Sequence, residues 1–184
     1  VYASSRGYFA AKEIVTVMNL LKVIDNPRQE IPLAGTMRSY FSYFETDELA
    51  IIKGSKRRTE LYDCLLQYAD KDDKLADKCR KLLDFINSYR KKSTVYSIRE
   101  LISSIVYGTG YYDYVGATAG GRIKKANLNM LLEKAGEFEK TSYFGLFNFL
   151  RYIEKLQKYD VDYGEGKTGS DDENLVKIMS IHKS

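Results

Sequence analysis

Apolar residues return every third or fourth position along most of this chain, and only two prolines, Pro27 and Pro32, interrupt it. That spacing gathers one stripe of side chains along one side of an α-helix, whereas a strand needs alternation every second residue. Ile14, Val17, Met18, Leu21 and Ile24 predict a first helix ending before Asn26-Pro27. Pro32 stands where a short second helix through Met37 can begin, and Thr46 followed by Asp47 and Glu48 reads as an N-cap with acids against the helix dipole. Leu61, Leu65 and Leu66 mark a fourth helix, and Leu75, Cys79, Leu82, Leu83, Ile86 and Tyr89 mark a longer fifth. Ser97-Ile98-Arg99-Glu100 has capping-box spacing and opens a sixth that ends near Gly108 and Gly110.

Beyond it, Tyr111-Tyr112-Asp113-Tyr114-Val115 reads as an aromatic connector, and residues 116–121 as a flexible turn. A seventh helix then carries Leu128, Leu131, Leu132, Ala135 and Phe138, and an eighth carries Phe144, Phe147, Leu150, Ile153 and Leu156. Residues 161–174, with three glycines and many acids, read as a linker or loop. Residues 175–181 are β-branched enough for a strand, and Val1-Tyr2-Ala3 suits a shorter one. The expected fold is therefore mainly α, about eight helices with short terminal strands. Lone strands leave backbone groups unpaired, so these ends are read as parts of a sheet in a larger α/β host from which a helical insertion emerges.

Few chemistries survive inspection. The two cysteines, Cys64 and Cys79, lie in helical segments and read as core thiols, not as a disulfide scaffold or half of a zinc set. The single histidine, His182, offers no base to a serine or cysteine nucleophile elsewhere. Gly164 to Ser170 imitates a phosphate-binding loop, but position 161, where that pattern needs glycine, holds Val161. Asp72-Asp73 and Asp171-Asp172 read as surface pairs in solvated charge runs. Accordingly no catalysis, metal or cofactor is expected of this stretch. A net charge of +4 permits a nucleic-acid partner without demanding one, and the sixteen tyrosines at helical spacing read as core before stacking platform. No cationic-then-apolar leader opens the chain and no run approaches about eighteen apolar residues, so a soluble, cytoplasmic protein without a membrane partner is expected.

The residues also carry a resemblance. Val176-Lys177-Ile178-Met179-Ser180-Ile181-His182-Lys183-Ser184 resembles the start of motif V in UvrD-like DNA helicases. Arg6-Gly7-Tyr8-Phe9 with Glu13-Ile14 looks like the family's glycine-aromatic-aromatic segment opening a helix after a motor-domain strand. Leu20 to Pro27, Ile31-Pro32-Leu33, Met37-Arg38-Ser39, Asp47-Glu48-Leu49, Gly110-Tyr111, Gly121-Arg122, Asn127-Leu128 and Phe144 to Arg151 are similar to the AddA-type helicase–nuclease subunits in the same order. Two departures stand out: Tyr40-Phe41-Ser42-Tyr43-Phe44 replaces a proline and glycine-bearing turn, and Ala10 stands where many relatives have an acid.

This resemblance implies a 2B-type accessory domain at residues 8–158, inserted into a RecA-like motor domain 2A. The motor contributes residues 1–7 and the segment 175–184, with 159–174 as an acidic loop. ATP and Mg²⁺ would serve the parent motor and not this stretch. Single-stranded DNA would meet Ser180, His182 and Lys183; duplex DNA near the fork, read without sequence preference, would meet Arg38, Ser39, Arg122, Lys124 and Lys125. A structural role stays open beside these contacts, since Arg38 and Ser39 can close a turn and the three basic residues can be a solvated helix start. The other implied partner is the nuclease subunit of an AddAB-type complex. A docking scaffold for that subunit, with little DNA contact, is the alternative reading.

Overall fold

A computed structural model of the chain describes residues 7–54 and 58–158. The expected terminal strands, the acidic loop and residues Arg6, Ser180, His182 and Lys183 lie outside the described residues. Among the described residues there are nine α-helices, one 3-10 turn at Tyr8–Ala10 and no strand. The helices are α1 (Lys12–Asp25), α2 (Glu30–Met37), α3 (Thr46–Lys53), α4 (Leu61–Ala69), α5 (Lys74–Ser93), α6 (Ile98–Val106), α7 (Tyr111–Gly116), α8 (Gly121–Glu139) and α9 (Gly145–Lys158).

The mainly α expectation holds, with three local corrections. Residues 111–115, read as a connector, form the short helix α7. At α3 the cap is Glu45, not Thr46: its carboxylate and that of Glu48 complete a reciprocal capping box. Asp73, read as half of a solvated pair, caps α5 by accepting from the Ala76 amide at 2.8 Å, and this holds its carboxyl below the usual range. The box at Ser97 and Glu100 forms as read. Asn26 stops α1 in an extended conformation, as a residue before proline prefers.

Burial is organised around α1, which is covered on most of its circumference. On one side Ile14, Val17, Leu21 and Ile24 join α6, α8 and α9 through Leu101, Ile105, Leu128, Leu131, Phe138 and Phe149. On the other, Val23 joins α2, α4 and α5 through Leu33, Met37, Leu65, Cys79, Leu82 and Ile86. α5 spans both cores, because Tyr89 near its end packs with the first. Pairs near the surface then tie together the elements of the second core: Arg28 grips Asp63 and Glu60 at 2.6–2.8 Å, and half-buried Lys78 reaches Glu48 at 2.6 Å. The exposed Arg28 pairs contribute little beside the apolar cores.

Cys64 and Cys79 are both reduced and buried in the second core. Burial, followed by the charges of Asp73 and Glu48, pushes the Cys79 thiol up to about 11. A disulfide exchange reagent is therefore expected to label neither thiol in the native chain near neutral pH, and both after denaturation. Native labelling as fast as in denaturant would contradict this packing.

Candidate nucleic-acid interface

The turn after α2 is held by its own side chains. Ser39 Oγ donates to the Thr36 carbonyl at 2.7 Å and accepts from the Phe41 amide, while Ser42 Oγ donates to the carbonyls of Thr36 and Met37. The Ser39 hydroxyl proton is thus committed to the turn. Tyr43 sits in the left-handed region with φ of 52°, a strain on the order of 1–3 kcal/mol for such a residue. Its carbonyl is fixed from the far side by Lys78 Nζ at 2.9 Å.

That turn faces α7. Tyr40 packs its ring on Tyr114 with centroids 4.6 Å apart and on Tyr111 at 5.3 Å, and its hydroxyl donates to the Thr109 carbonyl. Gly110 begins α7 with φ of +76°, and an added Cβ would stand 3.3 Å from the Tyr40 hydroxyl. At the other end of α7, a Cβ on Gly121 would come within 2.1 Å of the Gly116 carbonyl oxygen, so the start of α8 is seated by the absence of a side chain. This close approach brings Lys124 on α8 beside Thr118, whose Oγ1 accepts from Nζ at 2.7 Å.

Between the α2 turn, α7 and the starts of α1 and α8 lies a cleft of about 320 Å³. Lys12, Arg38 and Lys124 stand at its rim and Tyr43 and Tyr114 form part of its wall. The side chains of Lys12 and Arg38 are exposed and make no hydrogen bond or ion pair among the described residues. The floor includes Glu13, only 5% exposed, whose Oε1 accepts from the Asn127 amide at 2.6 Å. The Asn127 carbonyl in turn accepts from the buried Tyr8 hydroxyl at 3.0 Å, and the Glu13 carbonyl from Tyr111 at 3.4 Å. Burial first, tempered by a hydrogen bond with Thr16 and reinforced by the Glu13 charge, pushes the Tyr111 hydroxyl up to about 12. Burial, and then the charge of Glu13, raises that of Tyr8 further.

Of the residues singled out from the sequence, Arg38, Ser39 and Lys124 come together here. Lys125 turns away, its Nζ 3.5 Å from Asp113 and over the Tyr112 ring at 4.5 Å. Arg122 is exposed on the same first turn of α8 but does not line the cleft. Sequence reasoning does not single out Lys12, Tyr43 or Tyr114 as site residues. The available signal is the polar trio Lys12, Glu13 and Thr16 at the start of α1, with Glu13 in line with the apolar positions Val17, Leu20 and Ile24.

Among the described residues no group of three or more histidine, cysteine, aspartate or glutamate side chains could hold a metal ion, and no helix is long and apolar enough to cross a membrane. The described residues form a mainly helical module that assembles a cationic, tyrosine-walled cleft. No family model matches the chain. It is, however, 41% identical over its whole length to the A subunit of the ATP-dependent helicase/nuclease from Bacillus velezensis. The proteins of that name from Clostridium novyi and Alkaliphilus metalliredigens are 42% and 43% identical over 97% and 98% of the chain. The chain spans about 15% of the length of these curated relatives. It is thus a homologue of one segment of the A subunits of ATP-dependent helicase/nucleases, as the AddA-type resemblance implied.

Proposed function

We propose that this chain is a non-catalytic accessory domain of an ATP-dependent DNA helicase/nuclease that processes broken DNA ends, and that its cleft contacts the DNA backbone near the fork. The observation that carries the proposal is the convergence of Lys12, Arg38 and Lys124, from three helical segments far apart in sequence, around one cleft. Lys12 and Arg38 are exposed cations whose side chains have no partner among the described residues, and half-buried Lys124 donates there only to the Thr118 hydroxyl. Such cations suit phosphate oxygens, and phosphate contacts position a protein without reading sequence. Arg122 and Lys125 stand at the start of α8 beside Lys124 but outside the cleft, and in this reading they are secondary phosphate contacts. Ser39 serves the turn that presents Arg38.

Residues 8–158 form the 2B-type domain in this reading, flanked by the edge of motor domain 2A at 1–7, a loop at 159–174 and motif V from 175. Ser180, His182 and Lys183 then meet single-stranded DNA in the complete enzyme, which works in the cytoplasm with a partner nuclease subunit. ATP and Mg²⁺ belong to its motor domains.

Binding of a labelled duplex by the chain is expected to be insensitive to sequence. Each neutralised phosphate contributes about −0.9 to the slope of log K against log salt, so two to four contacts give roughly −2 to −4. Replacing Lys12, Arg38 and Lys124 together by alanine should flatten that slope by about 2 or more. Tight, salt-resistant binding to one sequence would overturn the proposal.

A second reading, docking of the partner subunit with little DNA contact, is favoured by a different surface. Tyr143, Phe144 and Phe147, at the turn into α9, are 65%, 80% and 56% exposed, and neighbouring exposed aromatics of this kind mark protein contacts. Under this reading the triple alanine change leaves partner binding intact, and duplex binding is negligible before and after it.

A further inference from the structure

We propose that the tyrosine-walled cleft receives a single unpaired nucleotide of the DNA, with its base against Tyr43 and Tyr114 and its phosphate at Arg38 and Lys12. This rests on the reading of the chain as a DNA-contacting domain and goes beyond it by naming what enters the cleft. A duplex backbone needs only cations on an open surface. This site adds a recess and two aromatic rings that are 56% and 46% exposed beside those cations. Nucleobases stack on aromatic rings whatever their sequence, because every base has a π-face.

The charge layout also favours a nucleotide over a bare phosphate. From floor to rim the cleft changes from the buried carboxylate of Glu13 to the exposed cations Lys12 and Arg38, with half-buried Lys124 beside them. A phosphate driven to the floor would meet a like charge. A base pointing inward presents amine and imide donors there and leaves its phosphate outside, where the cations stand. The platform is fixed before any ligand arrives. Tyr43 is kept in its strained left-handed conformation by the Ser39 turn and by Lys78, and Tyr114 leans on Tyr40, which is tied to Thr109. A wall ordered in advance loses little freedom on binding.

The test compares the 184-residue chain on a closed hairpin duplex and on the same hairpin carrying one extrahelical nucleotide, by fluorescence anisotropy. The extrahelical nucleotide is expected to raise affinity by about five-fold or more, the lower bound for stacking one base. Tyr114→Leu and Tyr43→Asn, the latter chosen because asparagine tolerates the left-handed backbone, should each reduce that gain, read as the ratio of the two hairpin affinities within one variant, with helical content unchanged. Arg38→Ala should weaken both substrates. Equal affinity for the two hairpins, or a gain that survives both tyrosine changes, overturns the inference and leaves the DNA-contact reading standing. Failure to bind either hairpin at low salt overturns both. Erasure of the gain by excess 5′-dAMP supports a cleft that also takes the free nucleotide. A gain that dAMP leaves intact supports recognition within a strand.

Discussion

Asn127→Leu is expected to lower the unfolding free energy by about 3 kcal/mol, out of proportion to the loss of one amide. The Asn127 side chain donates at 2.6 Å to Glu13, whose carboxylate is 5% exposed between α1 and α8. Withdrawing the donor leaves the carboxylate desolvated and poorly compensated, and that penalty exceeds the net contribution of the hydrogen bond itself. Glu13→Leu combined with Asn127→Leu should therefore be less destabilising than Asn127→Leu alone, because an apolar pair replaces both members. Two neighbouring bonds isolate the effect. Tyr8 and Tyr111 donate to the backbone carbonyls of Asn127 and Glu13, which neither substitution removes. Urea unfolding of Glu13→Leu, Asn127→Leu and the double variant beside the parent chain decides it: a double variant as unstable as the sum of its singles would show that the pair is not coupled.

Much of this architecture was legible because it depends on local rules. The three-and-four spacing of Ile14, Val17, Met18, Leu21 and Ile24 gave α1 and its buried side, and Ser97 with Glu100 gave the start of α6, since both patterns act within one or two turns. α7 escaped because six residues are too few for a period, and its left-handed Gly110 cap offers no side-chain signal. Glu45 escaped as a cap because a carboxylate there competes with the neighbouring Thr46, and only the reciprocal bond with Glu48 distinguishes them.

The candidate site was half legible. Arg38 and Lys124 stand out as basic residues at helix ends, but nothing local says that they meet. Their meeting depends on Gly121 admitting the end of α7 against α8 and on Tyr40 reaching Thr109. Lys12, Tyr43 and Tyr114 read as ordinary surface or core residues until those elements pack. Glu13 is the exception in principle: an acid inside an apolar stripe is costly enough to signal a buried partner. Which partner it finds, Asn127, is tertiary information.

Phe149→Ala is expected to cost about 3–5 kcal/mol, the range for truncating a fully buried aromatic. Phe149 is 0% exposed and meets Phe138 of α8 edge-to-face at 5.5 Å. α9 packs on α1, α6 and α8, so the cavity opens where four helices meet. Phe147, two positions away on the same helix, is 56% exposed and provides the control. Phe147→Ala should change stability by less than about 0.5 kcal/mol. The manner of unfolding is also constrained. α1 gives Ile14 and Leu21 to the first core and Val23 to the second, and α5 likewise reaches both through Tyr89 and Cys79. Neither core can dissolve without exposing the shared helices, so Phe149→Ala should shift one cooperative urea transition to lower denaturant without splitting it. Circular dichroism and tyrosine emission should therefore trace the same curve. Separate transitions, with Cys79 becoming reactive well after α9 is lost, would show instead that the two cores unfold independently.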